Sequence, residues 1–266
     1  MNKEMKKNAD RFTGFADTYE SARPTMPKYP IDIIIRYLGK KPNNVVDLGC
    51  GTGLSTKVWN DSCEQVIGIE PSLDMLKIAK EKQNNKIKFI NEYANNTGLE
   101  SEFTDVVVCS QSFHWMEPSS TLKEVYRILK KGGIFAAIDC DWPPVSVWQA
   151  DKAYNDLYKK VKMIEADSPD IKDTFIRYSK DRHLENIEQS GYFNYAREIL
   201  FSNREKCNAE RYINLILSQG STQMILKKQP TLIQDDIQSF KNEIYKIFEN
   251  KEFEIDFSYC MRIAVK

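Results

Sequence analysis

Between residues 45 and 53 the chain reads VVDLGCGTG, a short apolar run carrying an acid at Asp47 and glycines at Gly49, Gly51 and Gly53. Glycines on alternate positions after a strand let a backbone turn approach a nucleotide closely. The neighbours decide which nucleotide. A pyrophosphate-binding turn of the G-x-G-x-x-G type requires a third glycine where this chain has Leu54, and a triphosphate loop requires a closing Gly-Lys-Ser/Thr that is absent here. Asp47 would repel a phosphate beside the glycines and would suit an ammonium group.

S-adenosylmethionine meets those conditions, because its amino-acid end carries an ammonium, its sulfonium is cationic and it has no phosphate. Glu70 closes the next apolar run, VIGIE, 21 residues beyond Gly49. That is close to the spacing of about 20 at which an acid takes ribose hydroxyls in nucleotide-binding α/β folds. Met75 could lay its polarizable side chain on an adenine face, with ordinary core packing as the other reading.

Such residues need a scaffold that ends strands at their positions. The runs Asn44 to Leu48, Gln65 to Glu70, Lys86 to Ile90, Asp105 to Cys109 and Ile134 to Asp139 are short, rich in β-branched residues and mostly uncharged, as strands buried on both faces must be. Helical patterns separate them. Ser72 reads as an N-cap with Asp74 in the first turn, and Leu73, Leu76 and Ala79 share a face. After Pro118, the residues Leu122, Val125 and Leu129 form one stripe, and Lys130-Lys131-Gly132-Gly133 reads as the helix exit. This alternation predicts an α/β fold, a doubly wound, mostly parallel sheet with helices on both faces. From Phe253 to Val265 apolar and polar residues alternate strictly, which marks an antiparallel-type strand, and Tyr192 to Phe201 reads as its partner. Ile233, Ile237, Phe240, Ile244 and Phe248 keep a helical face between those two strands. The stretch from about Trp142 to Glu188 exceeds an ordinary connection and predicts a helical cap over the carboxyl edge of the sheet.

A chain of 266 residues can bury a full core. Its 38 basic and 38 acidic residues balance, so no overall field holds nucleic acid or a membrane surface. Cys50, Cys63, Cys109, Cys140, Cys207 and Cys260 show no C-x-x-C spacing, and neither His114 nor His183 stands at metal-ligand spacing. They read as reduced thiols of a cytoplasmic protein without a metal site. The opening MNKEMKKNADRF lacks an apolar targeting core, and no later stretch reaches membrane-spanning length, so neither secretion nor insertion is expected.

The motifs VVDLGCGTG, GIEPS, TDVVVCSQSFHWME and EVYRILKKGGIFAAID resemble successive motifs of the class I S-adenosylmethionine-dependent methyltransferases, in the group with type 11 methyltransferase domains. FHW after the fourth strand, the opening FTGFADTYESARPTMP, and TGL before that strand resemble more narrowly the trans-aconitate-methyltransferase-like branch. The likeness covers about residues 12 to 140, and the remainder matches in outline. It implies a Rossmann-like, seven-stranded sheet with one antiparallel strand. Residues 1–266 would then form one methyltransferase domain, with a lid segment at 1–30 and helical cap elements at about 142–190 and 208–250. By this resemblance Asp47, Gly49, Cys50 and Gly51 would hold the methionine end of the donor, Glu70 with Pro71 beside it the ribose, and Met75 the adenine. Ala94 and Asn95 would border the adenine edge, although the family commonly has an acid where this chain has Asn95. Ser110, Gln111 and Ser112 would line the floor beneath the donor methyl, and Tyr19 and Arg23 would fold over the site.

Methyl transfer from a sulfonium is an in-line displacement, so alignment and exclusion of water matter more than acid–base chemistry. His114, just past the fourth strand, is either a proton acceptor or a structural histidine that steadies its loop. Asp141 and Trp142 either meet the acceptor or belong to a turn stiffened by Pro143 and Pro144. Phe113, Trp115, Trp142, Trp148, Tyr154 and Tyr158 could wall an aromatic acceptor pocket, although Tyr154 and Tyr158 share a helix face that more often belongs to a core. His183, in SKDRHLEN, reads as solvated surface. A small-molecule acceptor is the leading expectation. Methylation of RNA or protein, and a non-catalytic S-adenosylmethionine-binding module, are the alternatives. Arg23, Arg177, Arg182, Arg204 and Arg211 could hold a polycarboxylate only if they converged on the site, which the sequence does not disclose.

Overall fold

The computed structural model describes residues 8, 20, 22–172, 175–249 and 251–266. Strands β1 (Asn44–Leu48), β2 (Gln65–Ile69), β3 (Ile87–Ile90), β4 (Thr104–Ser110), β5 (Leu129–Cys140), β6 (Tyr195–Cys207) and β7 (Phe253–Val265) form a single sheet in the order β3-β2-β1-β4-β5-β7-β6. Strands β1 to β5 run parallel, and β7 is antiparallel to both of its neighbours. The expected antiparallel tail and its partner strand are therefore both present.

The uninterrupted apolar strands follow from burial on two sides. Val45, Val66, Val106, Val108 and Ile134 join one core, while Val46, Leu48, Ile67, Ile69 and Val107 join another on the opposite face. Helix α1 (Lys28–Leu38) and residues Leu76 and Ala79 of α2 (Leu73–Lys80) pack into the first. Into the second pack α3 (Pro118–Ile128) and Ile187 of α5 (His183–Gln189). Side chains alternate faces along a strand, so residues on both faces must be apolar. Helices α4 (Trp148–Asp167), α6 (Ala209–Leu217), α7 (Gly220–Lys228) and α8 (Gln234–Phe248) pack on one another, and Tyr154, Tyr212 and Phe240 lie at their centre.

Three local expectations are corrected. Leu73 is 69% exposed and Met75 takes the buried position, because this end of α2 faces the carboxyl edge of the sheet rather than its flank. Ser72 occupies the N-cap position but makes no side-chain capping bond. Lys130 to Gly133 belong to β5, not to a helix exit; α3 stops at Ile128, Gly132 adopts φ +76°, and the pairing of β4 with β5 shifts register across this stretch. At its start, α3 is capped by Glu117, whose carboxylate accepts the N–H groups of Ser119 and Ser120.

All six cysteines are buried and free. Among the described residues no helix is long and apolar enough to cross a membrane. Strand order reverses between β1, which leads to β2 on one side, and β4 on the other. The crevice beyond the carboxyl ends of β1 and β4 is where ligands bind in open α/β sheets.

Candidate functional site

The turn leaving β1 uses its glycines in two ways. Gly49 has φ +65°, and a Cβ there would lie 2.7 Å from Ser112 Cβ and 2.8 Å from Met116 Cε. The turn therefore presses directly on the loop that follows β4. Gly51 has φ +56°, and its Cβ would meet nothing within 4 Å, so this face of the turn is left open. The carbonyl of Ile69 accepts the N–H groups of Gly49 and Cys50 at 2.8 and 3.1 Å, which ties the turn to the end of β2. Gly49→Ala is expected to destabilise the protein by about 3 kcal/mol through the left-handed backbone and the clash together. Gly51→Ala should cost only the backbone penalty, roughly 1 kcal/mol. Thermal unfolding of both variants checks this, and equal midpoints would contradict the close approach at Gly49.

Asp47 lies fully buried beneath the turn, where its Oδ2 accepts the hydroxyls of Ser55 and Thr56 at 2.7 Å each. Burial pushes its pKa up to about 6. It does not line the three cavities at this edge, and its Oδ1 has no hydrogen-bond partner among the described residues. Asp47 braces the turn and supplies negative potential from behind it. Glu70 does reach the cavity wall. Its Oε2 accepts the Gly51 N–H at 2.9 Å and its Oε1 the Ser72 N–H at 2.8 Å. Burial pushes its pKa up to about 7, despite those bonds, and the negative charge of Asp47 adds to the rise.

Beyond this wall lies a cavity at the carboxyl edge of the sheet, where small-molecule sites form in open α/β folds. The expected residues Gly49, Gly51, Glu70, Pro71, Met75, Ala94, Asn95, Gln111 and Ser112 all border it. Among its described lining residues there is no lysine or arginine, which leaves a phosphate without a partner. Tyr93, Met116, Thr121 and Asn8 also line it, although nothing in the sequence singled them out. Thr121 is fully buried and its hydroxyl has no partner. Asn8 is held by its own amide, which donates to the carbonyls of Trp115 and Ile176 at 2.8 Å and accepts the Ile176 N–H at 2.9 Å. Finding it requires the tertiary fold, since its partners lie 107 and 168 residues away.

Cys50, Ser110 and Arg23 border a smaller cavity on the other side of the glycine turn. A further cavity is lined by Arg23, His114, Asp141, Trp142, Tyr158, Arg177 and Lys180, with Trp115 shared between it and the first. Gln111 borders all three. The Arg23 guanidinium lies 4.8 Å from the centre of the Trp142 ring and donates to the Ser218 carbonyl, tying the chain ahead of α1 to the helices beyond β6.

The comparisons with known proteins agree with this geometry. A methyltransferase-domain family model matches residues 46–137, the segment that carries β1 to β5 and the glycine turn. A crystal structure of a putative type II methyltransferase from Anaeromyxobacter dehalogenans superposes over 91% of this chain and 97% of that one, with a TM-score of 0.68 at 15% identity. Over residues 46–137 the chain is thus similar in sequence to methyltransferase domains, and it shares the fold of that solved structure. Among curated proteins, the probable S-adenosylmethionine-dependent methyltransferase CRG1 of Saccharomyces cerevisiae is 33% identical over 124 residues, covering 44% of this chain and 43% of that protein. The ubiquinone/menaquinone biosynthesis C-methyltransferase UbiE of Campylobacter jejuni is 31% identical over 154 residues, covering 51% and 64%. The chain thus spans about half to two thirds of the length of these curated relatives.

Within this fold several sequence candidates sit elsewhere than expected, and Tyr19 lies outside the described residues. Phe113 turns into the core on the far face of the sheet, against Phe135 and His183, and borders none of the three cavities. Tyr154 is wholly buried among the helices, and Trp148 is 72% exposed at the start of α4. Arg182 pairs with Glu185, Arg204 with Asp256 and Arg211 with Glu205, so only Arg23 and Arg177 of the five arginines line the cavity shared with Trp142 and Lys180. His183 is fully buried, not solvated. It shares a helix face with the buried Ile187 four residues on, a signal that the surrounding charges obscure.

His114 and His183 both approach Asp139, with Nδ1 of His114 3.5 Å from Oδ1 and Nε2 of His183 3.6 Å from Oδ2. Burial pushes both imidazoles down to about 4, so they are neutral at pH 7. These three side chains bring metal-ligand atoms within 4.8 Å of one another. Asp139 already faces two cations, however, with Lys180 at 3.2 Å and Arg262 at 3.1 Å. The added charge of a metal ion would be repelled there. The cluster reads as an internal ion network, and His114 also lines the cavity shared with Trp142 and Lys180.

Proposed function

We propose that this chain transfers a methyl group from S-adenosylmethionine to a small-molecule acceptor. The observation that carries this reading is the meeting, at Gln111, of a cation-free nucleoside cavity with a separate cavity of mixed polarity. The donor site fits the residues around it. Glu70 is the acceptor for ribose hydroxyls, Met75, Ala94 and Asn95 frame the adenine, and the open face at Gly51 admits the backbone-proximal part of the ligand. The Thr121 hydroxyl adds an unused hydrogen-bonding group to the adenine side. Arg23, beside the glycine turn, is placed for a carboxylate at the amino-acid end. When bound, S-adenosylmethionine supplies an electrophilic methyl group.

The acceptor enters from the side of His114, Asp141 and Trp142, with Trp115 between the two compartments. His114 borders this compartment and is neutral at pH 7. Asp141 borders the same space. The described chain works as one domain in this reading, with 142–190 and 208–250 as cap elements; of the expected lid at 1–30, residues 1–7, 9–19 and 21 lie outside the described residues. The Asn8 clamp and the Arg23 contact to Ser218 support that assignment. A cytoplasmic setting belongs to the same reading and accords with six buried, unpaired thiols.

The test is incubation of the purified chain with methyl-labelled S-adenosylmethionine and a metabolite extract. Label is expected in the low-molecular-weight fraction. Label found only in added RNA or protein would overturn the small-molecule acceptor, and donor binding with no transfer to any fraction would favour a binding module.

A further inference from the structure

We propose that Lys180 is a positioning residue that fixes the Gln111 amide so that its NH2 group faces the point of methyl transfer, making Gln111 the hydrogen-bond donor to a lone pair of the acceptor. The inference rests on the methyltransferase reading above. Three observations lead to it. The Lys180 ammonium lies 3.2 Å from each of three acceptors, the Gln111 Oε1, the Cys140 carbonyl and Asp139 Oδ1. Two of these contacts are hydrogen bonds, to Gln111 and Cys140, and the third is an ion pair, so the segment before α5 is pinned onto the ends of β4 and β5. Gln111 is also one of the few non-glycine residues with positive φ, at +57°, and its N–H is held by the Ile138 carbonyl at 2.8 Å. Such a backbone is strained and persists only where its surroundings enforce it.

The third observation concerns the far end of the side chain. Gln111 Nε2 is buried and has no hydrogen-bond partner. The two ends of an amide are usually assigned from their neighbours. Here chemistry decides, because lysine can only donate, so the atom facing Lys180 must be the oxygen and the NH2 must point the other way. Gln111 itself borders each of the three cavities. A buried donor left without a partner is costly, and an acceptor oxygen or nitrogen lone pair placed beside it would satisfy it. Asp139 neutralises the lysine, so Gln111 presents an oriented dipole rather than a full charge.

The test uses the full chain saturated with S-adenosylhomocysteine, with glutamine side chains labelled with nitrogen-15. The Gln111 NH2 signals are identified by their loss in Gln111→Glu. In Lys180→Met these signals are expected to shift and broaden as the amide loses its anchor; unchanged signals would overturn the role of Lys180. With methyl-labelled S-adenosylmethionine at saturation and a metabolite extract as acceptor, Lys180→Met and Gln111→Glu are each expected to lower the initial transfer rate on the order of tenfold. Affinity for S-adenosylhomocysteine should stay within about twofold of the unaltered chain in Lys180→Met, since Lys180 borders only the cavity away from the donor. Full activity in Gln111→Glu, which retains an oxygen for Lys180 but offers no NH2, would overturn the donor role of the amide. Absence of transfer by the unaltered chain would instead count against the methyltransferase reading, and the amide signals would still decide the pairing of Lys180 with Gln111.

Discussion

Glu70→Ala is expected to weaken binding of S-adenosylhomocysteine by roughly a hundredfold. Two hydrogen bonds from ribose hydroxyls to one carboxylate contribute about 3 kcal/mol or more, since each bond to a charged group is worth about 1.5–3 kcal/mol. The loss compounds, because the same carboxylate accepts the N–H groups of Gly51 and Ser72 and so shapes the turn that the ligand approaches. Glu70→Gln should fall between the two, as its amide oxygen can replace one acceptor but not the charge. Burial pushes the Glu70 carboxyl up to about 7. The carboxylate fraction therefore grows between pH 6 and pH 8, and affinity should rise with pH across that window by up to about tenfold. The Gln variant should lack that rise. Calorimetry at both pH values with all three proteins checks the set, and an Ala variant that binds as tightly as the unaltered chain would mean that the nucleoside lies elsewhere.

Asp139→Ala should destabilise the protein by about 3–5 kcal/mol, the cost typical of removing one partner from a buried ion pair. Asp139 is 2% exposed and lies against Lys180 and Arg262 as well as both imidazoles. Burial alone would push its carboxyl up, yet His114 and the positive charge of Lys180 hold it well below the usual carboxylate range. Arg262 is itself buried, and without Asp139 it keeps only Glu198 as an anionic partner at the β6 side. The imidazoles cannot compensate, because both are neutral at pH 7. For a chain of this size the loss corresponds to a fall in unfolding temperature on the order of 10 °C. Urea unfolding gives the free energy directly, and a variant within 1 kcal/mol of the original would show that the network does not hold the sheet. Asp139→Asn, which keeps an oxygen for one of the cations, should lose less.

Most of the fold was legible because its signals are local. β1 spans Asn44–Leu48 and β2 ends one residue before Glu70, as the apolar runs predict. A strand buried on both faces cannot tolerate charge at consecutive positions, so the boundary is written in the residues themselves. The period-two tail announced β7 in the same way. The glycines, Glu70, Met75, Ala94 and Asn95 could be placed on one cavity because each lies on or just past a strand end, and parallel strands bring their carboxyl ends to a common edge. The errors share a cause. Phe113 and His183 were assigned from neighbouring residues, but whether a side chain faces solvent, cavity or core depends on an element distant in sequence.

The sequence by itself determined the sheet and the position of the glycine turn, since spacing and alternation survive without knowledge of long-range contacts. Only the tertiary structure decided that Asp47 accepts the Ser55 and Thr56 hydroxyls beneath the turn, and that Lys180 meets Gln111 across 69 residues. It also decided that Asp139 collects two imidazoles and two cations. The physical reason is that such meetings are set by crossovers and by the packing of helices on the sheet, which no local pattern of residues encodes.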